Sequence, residues 1–141
     1  MENRHATLVL VGTRGVLVRG PSGAGKSALA LELLDRAEGF ARLVADDRVL
    51  VERLASGALC GHAPAAIAGR IELRGHGILA LPHEPAAIVD LIVELVPAGA
   101  LERMPGPETE GGLPLIRAPR GDAAAACRLV HAALKRMETG F

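Results

Sequence analysis

The sequence predicts an α/β P-loop domain with a mixed, partly antiparallel β-sheet and few helices, and three observations predict it. Residues Gly20-Pro21-Ser22-Gly23-Ala24-Gly25-Lys26-Ser27 follow the pattern G-x-x-x-x-G-K-[ST], set between an apolar run and an amphipathic one. That is the strand, loop and helix context of a phosphate-binding loop. Two β-rich runs, not one, lead into the loop as a hairpin, so part of the sheet must be antiparallel. No second βα repeat follows, which separates the chain from an all-parallel, doubly wound sheet. At 141 residues the chain is expected to be one domain spanning 1–141, of a size that buries roughly two-thirds of its unfolded surface.

Taken in order, Ala6-Thr7-Leu8-Val9-Leu10-Val11 and Gly15-Val16-Leu17-Val18-Arg19 are the two strands of the hairpin, with Gly12-Thr13-Arg14 between them. In the loop, Gly20, Gly23 and Gly25 permit backbone angles that a Cβ would forbid, so successive N–H groups can turn onto one anion. Over residues 26–38, Leu29, Ala30, Leu33, Leu34 and Ala37 keep a helical stripe, and Gly39 offers its stop. Residues 42–45 read as a short buried strand ending at Asp46-Asp47, and residues 48–54 as a second extended run before the turn at Ser56-Gly57. Strands are expected over 66–73, 77–81 and 87–96, broken by Gly75 and by Pro82-His83-Glu84-Pro85. Residues 97–114, rich in Pro, Gly and Glu, read as a mobile surface loop of the kind that serves as a lid or partner contact. Residues 113–118 offer one more strand. Asp122 can cap a final helix whose stripe is Ala126, Leu129, Val130, Ala133, Leu134 and Met137.

Composition narrows the function. Sixteen basic and sixteen acidic residues balance to zero formal charge, which argues against broad electrostatic capture of nucleic acid or of an anionic membrane. Phosphate recognition must therefore be local. Phe40 and Phe141 are the only Phe, Tyr or Trp residues, so there is little to stack a nucleobase on and a nucleotide is expected to be held mainly by its phosphates. Cys60 and Cys127 are too few for a disulfide framework or zinc cluster. The run 6–11 is too short for a signal peptide or membrane span, and a soluble, cytoplasmic protein is expected.

Phosphoryl transfer needs a cradle, a metal, a carboxylate for the acceptor and positive charge on the moving group. Lys26 can meet the β- and γ-phosphates, while Ser27, opening the helix, can place its hydroxyl on Mg²⁺. Asp46 and Asp47 are two of only five aspartates and sit side by side at a strand end. Neighbours on a strand point to opposite faces, so only one of them can face the phosphate site unless the chain turns there. Read by periodicity alone, Glu72 between Ile71 and Leu73 is a solvent-facing strand residue, and His5 and Arg103 are exposed.

Together these features resemble HPr kinase/phosphorylase, specifically its C-terminal catalytic domain. The resemblance runs over nearly the whole chain: His5 ten residues before Gly15, the loop Gly20 to Ser27, Ala30-Leu31-Glu32-Leu33, Leu43-Val44-Ala45-Asp46-Asp47, and Glu72-Leu73-Arg74-Gly75-His76-Gly77-Ile78. The last of these is similar to the family signature E-[IL]-R-G-x-G-[IL]. The resemblance implies a mixed-sheet fold related to phosphoenolpyruvate carboxykinase and a protein serine kinase of the phosphotransferase system, regulating carbohydrate metabolism. The donor would be ATP or pyrophosphate, and the acceptor a seryl residue of the phosphocarrier HPr. It also implies roles. Asp46, assisted by Asp47, takes the seryl proton; His5 is a catalytic neighbour; Lys26 holds the phosphates; Ser27 and Glu72 bind Mg²⁺; and Arg103, in Glu102-Arg103, stabilises charge.

A homo-oligomer is expected on the same ground, as is a short form without the family's N-terminal domain. Two departures stand out: Ala28 follows the loop serine where the family has Glu, and Pro119-Arg120-Gly121-Asp122 is shorter than the family's P-V-R-P-G-R-N. The second bears on dephosphorylation, so kinase activity is expected more than phosphorylase activity. Two other readings of the same residues are a P-loop small-molecule kinase and a non-catalytic nucleotide-binding sensor that docks a carrier protein.

Overall fold

The aliphatic runs before the loop pair as the expected hairpin, and a mixed sheet grows outward from it. The computed structural model describes residues 1–139, and Phe141 lies outside them. In chain order the elements are β1 (Glu2–Arg4), β2 (Ala6–Val11), β3 (Arg14–Arg19), α1 (Lys26–Asp35), β4 (Ala41–Ala45), β5 (Val49–Arg53), β6 (Leu59–His62), β7 (Arg70–Leu73), β8 (Gly77–Ala80), β9 (Ala87–Val96), β10 (Thr109–Glu110), β11 (Leu113–Pro119) and α2 (Ala123–Thr139). The large sheet runs β1-β5-β6-β9-β3-β2-β4, with β11 also on β9, while β7 and β8 form a separate hairpin.

The long strand β9 organises this sheet. Along one edge β3 runs parallel to it, and the other edge is divided between β6, antiparallel at Ala87 and Ile88, and β11, parallel over residues 92–96. Near its start the register slips between Gly15 and Val16, so that Asp90 is an extra residue whose Oδ2 accepts a bond from the Gly15 N–H at 3.0 Å. The strands come very close there. A Cβ on Gly15 would lie 2.0 Å from the Ile88 carbonyl oxygen, which only glycine avoids.

Strand alternation divides the buried residues into two cores. Val9, Val16, Val18, Val93 and Leu95 face the helices and pack with Leu29 and Leu33 of α1 and Val130 and Leu134 of α2. Leu8, Leu17 and Ile92 face the other way and pack with Val49, Val51 and Leu59. The arm β1-β5-β6 therefore folds across the face that the helices leave open. Gly61 permits this approach, since a Cβ there would stand 2.7 Å from a Leu8 methyl.

Several boundaries differ from the sequence expectation. Helix α1 stops at Asp35, not near Gly39: the last helical bond runs from the Arg36 N–H to Glu32 O, and Gly12 N–H then anchors Phe40 O at 2.7 Å to start β4. Ala37 leaves the stripe because the chain must already be turning back onto β2. The strand expected over 66–73 is only β7, since Pro64 opens a 3-10 turn at Ala65–Ile67. The short strands β1 and β6 carry no clear local signal, and the exposed segment 97–114 contains a 3-10 turn at Ala98–Ala100 and the strand β10. The final helix buries Ala126, Val130 and Leu134 of the expected stripe, but Leu129 is exposed and Cys127 is buried in its place; Asp122 Oδ1 accepts from the Ala125 N–H at 3.0 Å as its cap.

Candidate active site

The loop Gly20 to Ser27 leaves the end of β3 and enters α1, with Gly23 at φ +81° and Gly25 at φ +101°. Those angles turn the backbone N–H groups inward, and no side chain caps α1, so its first-turn N–H groups are left to an anion. The Lys26 side chain is buried and folds along the loop, its Nζ donating to Gly20 O at 2.8 Å and Pro21 O at 3.2 Å. Burial pushes the Lys26 ammonium below its ordinary pKa, and the charges of Asp47 and Asp46 pull it back. Both carboxylates of the doublet thus act on the loop lysine.

They can do so because the chain turns where the strand ends. The Arg48 N–H bonds to Asp46 O at 2.8 Å, closing a γ-turn with Asp47 at φ +66°, the sole positive φ outside glycine among the described residues. Such a conformation is strained for a residue with a Cβ and persists only where its surroundings impose it. Thr7 on β2 imposes it. Fully buried, its Oγ1 donates to Asp46 Oδ1 at 3.0 Å and accepts from the Asp47 N–H at 3.1 Å.

The doublet is divided by its partners. Asp46 is buried, and its Oδ1 also accepts from the Ser27 hydroxyl at 2.7 Å, tying the acid to the first turn of α1. Its Oδ2 accepts only the longer bond from the Glu72 N–H, at 3.3 Å. Asp47 is exposed, and its Oδ1 meets His5 Nε2 at 2.6 Å. His5, Lys26, Ser27, Asp46 and Asp47 therefore converge, although they come from three separate stretches of chain. Glu72 reaches the cluster through its backbone, at the foot of the β7-β8 hairpin, while its side chain is exposed as periodicity suggested.

Arg103 is not part of that hydrogen-bonded cluster. It lies in the exposed segment before β10, with no hydrogen bond or ion pair to the other site residues among those described. The end of that segment is held down: Glu110 pairs with Arg19, the residue before the loop, and Glu108 pairs with Arg117 on β11. Thr7 is the site residue that sequence reasoning passed over. Its signal was a hydroxyl in an otherwise aliphatic strand, on the same parity as Val9.

Comparison with known proteins places the chain among relatives of one family. Residues 1–84 match the family model described as the HPr Serine kinase C-terminal domain. The HPr kinase/phosphorylase of Caldicellulosiruptor bescii is 41% identical over 99 residues, covering 65% of this chain and 31% of that protein. That of Bordetella petrii is 47% identical over 75 residues, 53% of this chain and 23% of that protein. The chain thus spans under a third of the length of these curated relatives. Among solved structures, the HPr(Ser) kinase/phosphatase from Coxiella burnetii superposes with a TM-score of 0.81 at 24% identity, over 99% of this chain and 92% of that one. The likeness shows that the fold, mixed sheet included, is shared.

Proposed function

The chain belongs to the family of HPr serine kinase C-terminal domains, and from that membership and the geometry of the loop and doublet we propose that it phosphorylates a seryl residue of the phosphocarrier HPr with ATP. The observation that carries the reading is the 2.7 Å bond from the Ser27 hydroxyl to Asp46, which puts a carboxylate beside the phosphate nest. An acceptor hydroxyl entering there meets Asp46 Oδ2, the less engaged of its two oxygens. In the transfer the acceptor oxygen bonds to the γ-phosphorus, the bond to the β,γ-bridging oxygen breaks, and the seryl proton passes to Asp46. Asp47, oriented by His5, supports that carboxylate from the rim of the site. Lys26 and the loop N–H groups balance the phosphate charge, and Arg103 is assigned to charge on the moving group by resemblance alone.

The donor set suits Mg²⁺, which prefers hard oxygen ligands and shares its shell with phosphate and water. Ser27 Oγ is such a donor, and the Glu72 backbone adjoins the Asp46 carboxylate behind it. Ser27 and Glu72, with Asp46 behind the serine, would hold the ion. When bound, it would neutralise charge on the β- and γ-oxygens.

Cytoplasmic action and homo-oligomerisation belong to the same proposal; no helix among the described residues is long and apolar enough to cross a membrane. The test is to mix the protein with Mg·ATP and HPr and look for an acid-stable phosphoserine on the carrier. Its appearance supports the reading. No transfer to HPr with intact ATP binding counts against it. Repeating the assay with inorganic phosphate and phosphorylated carrier measures the reverse reaction, expected to be the weaker.

A further inference from the structure

At the end of the sheet away from the phosphate loop lies a cleft of about 370 Å³, within the size range of small-molecule sites. Three segments wall it: the β2-β3 turn at residues 11–14, the α1-β4 linker at residues 36–40, and the second half of α2 around Leu134 and Lys135. Its place follows from the topology. β3 and α1 join at the loop and β4 ends at the doublet, so the turn before β3, the end of α1 and the start of β4 all lie at the opposite end. The Gly12 N–H bond to Phe40 O, at 2.7 Å, ties two of the walls together. The length of the ten-residue helix α1, about 15 Å, separates the cleft from Lys26.

The lining combines fixed charges of both signs with an uncovered apolar surface. The charges are those of Arg14, Arg36 and Lys135 and of Glu38 and Glu138. Arg36 is already paired with Glu32 on α1, and Arg14 reaches Asp90 only at 4.0 Å. Lys135, Glu38 and Glu138 are exposed, and their side chains make no ion pair or hydrogen bond among the described residues. Two cations and two carboxylates are therefore left without a close partner, and their charges cancel. A purely anionic ligand would meet the carboxylates and a purely cationic one the cations, and like-charge contacts are unfavourable. The complement carries both signs itself. Phe40 is 46% exposed at the rim, its ring beneath the Arg42 guanidinium at 5.4 Å, and Val11 and Leu134 continue the apolar wall.

We propose that this cleft binds a small zwitterion, a free α-amino acid with an apolar side chain. Arg14 and Lys135 hold its carboxylate, Glu38 and Glu138 its ammonium, and its side chain lies on Phe40 and Leu134. Because the cleft is remote from the loop, the amino acid and a phosphate donor bind together without competing. The site stands or falls independently of the kinase reading, since none of its residues belongs to the loop or the doublet.

Calorimetry on the intact chain tests it with L-leucine beside isocaproate and isoamylamine, and L-phenylalanine beside hydrocinnamate and phenethylamine, each analogue lacking one of the two charges. At least one amino acid should bind with a Kd of about 1 mM or tighter, and its two analogues about tenfold more weakly, the scale of a lost hydrogen bond to a charged group. Lys135→Met and Glu38→Gln should each weaken it about tenfold, with the melting temperature of the ligand-free protein kept within about 2 °C because both side chains are exposed. Saturating Mg·ATP should leave the affinity within about twofold, as for separate sites. Binding of neither amino acid, analogues that bind as well as their parents, or variants that bind like the wild type would overturn the proposal. Displacement by Mg·ATP would overturn it too, by putting the amino acid at the phosphate loop. A wild type that takes up the amino acid but binds no Mg·ATP, or transfers nothing to HPr, bears on the kinase reading alone.

Discussion

Replacing Thr7 with Val tests the device that aims the acidic doublet. The substitution keeps the branched shape and the β propensity of the residue while removing an oxygen that is fully buried and makes two hydrogen bonds. One is to the Asp46 carboxylate, and bonds to charged groups contribute about 1.5–3 kcal/mol. The other satisfies the part-buried Asp47 N–H inside a strained γ-turn, and leaving it unpaired costs about 1 kcal/mol, the low end for a donor that has lost its partner. Burial of the extra methyl returns about 0.8 kcal/mol. The net expectation is a loss of about 2–3 kcal/mol, read as a lower urea midpoint at unchanged slope. Phosphotransfer should also fall about a hundredfold, the scale of a 1 Å misplacement of a reacting group, with ATP affinity kept because Thr7 does not touch the loop backbone. Thr7→Ser, which keeps the hydroxyl, should recover most of the rate. A Thr7→Val protein within about 0.5 kcal/mol of wild type and fully active would refute the reasoning, because something else would then hold the turn.

Asp46→Asn should cut transfer by about 10²–10⁴-fold, the usual contribution of a general base, with ATP binding largely kept; an equal loss of ATP affinity would move Asp46 from acceptor to donor chemistry. Glu72→Gln should raise the Mg²⁺ concentration needed for half-maximal activity, and an unchanged magnesium titration would remove Glu72 from the metal ligands. Gly15→Ala should destabilise by about 3 kcal/mol, the upper end of the overpacking range, since its methyl would meet the Ile88 carbonyl; thermal melting would reveal a tolerated substitution. Glu110 and Glu108 are held below the ordinary carboxylate range by hydrogen bonds from Arg19 and Arg117. With folded pKa values depressed, their stabilising effect is present above about 4.5 and is lost as pH falls through the folded values. Protection factors in residues 108–112, with the intrinsic pH dependence of exchange divided out, should therefore fall as pH drops below about 4.5 and fall less in Glu110→Gln, whose pair is already broken at neutral pH.

Features that depend on neighbours in sequence were legible from the residues. The loop glycines, the β2-β3 hairpin, the stripe of α2 and its Asp122 cap are local patterns, set by a few consecutive dihedrals and a 2.0 or 3.6 period. Resemblance extended this to His5 and Glu72, whose local signals were those of ordinary exposed residues. The short strand β6 was harder to see, because it is a strand by virtue of pairing with β5 and β9, not by its own sequence.

What the chain determined by itself was the chemistry available: an anion nest closed by Lys26, an acidic pair at a strand end, and too few aromatic rings to stack a base. Only the tertiary structure decided how these parts meet. It set Ser27 against Asp46, turned Asp47 through a left-handed angle onto His5, and recruited Thr7 from another strand. The reason is that each of these relations joins residues 19 or more apart in sequence. Such pairs are brought together by strand order and by the closeness that Gly15 and Gly61 allow, and neither property is carried by any local run of residues.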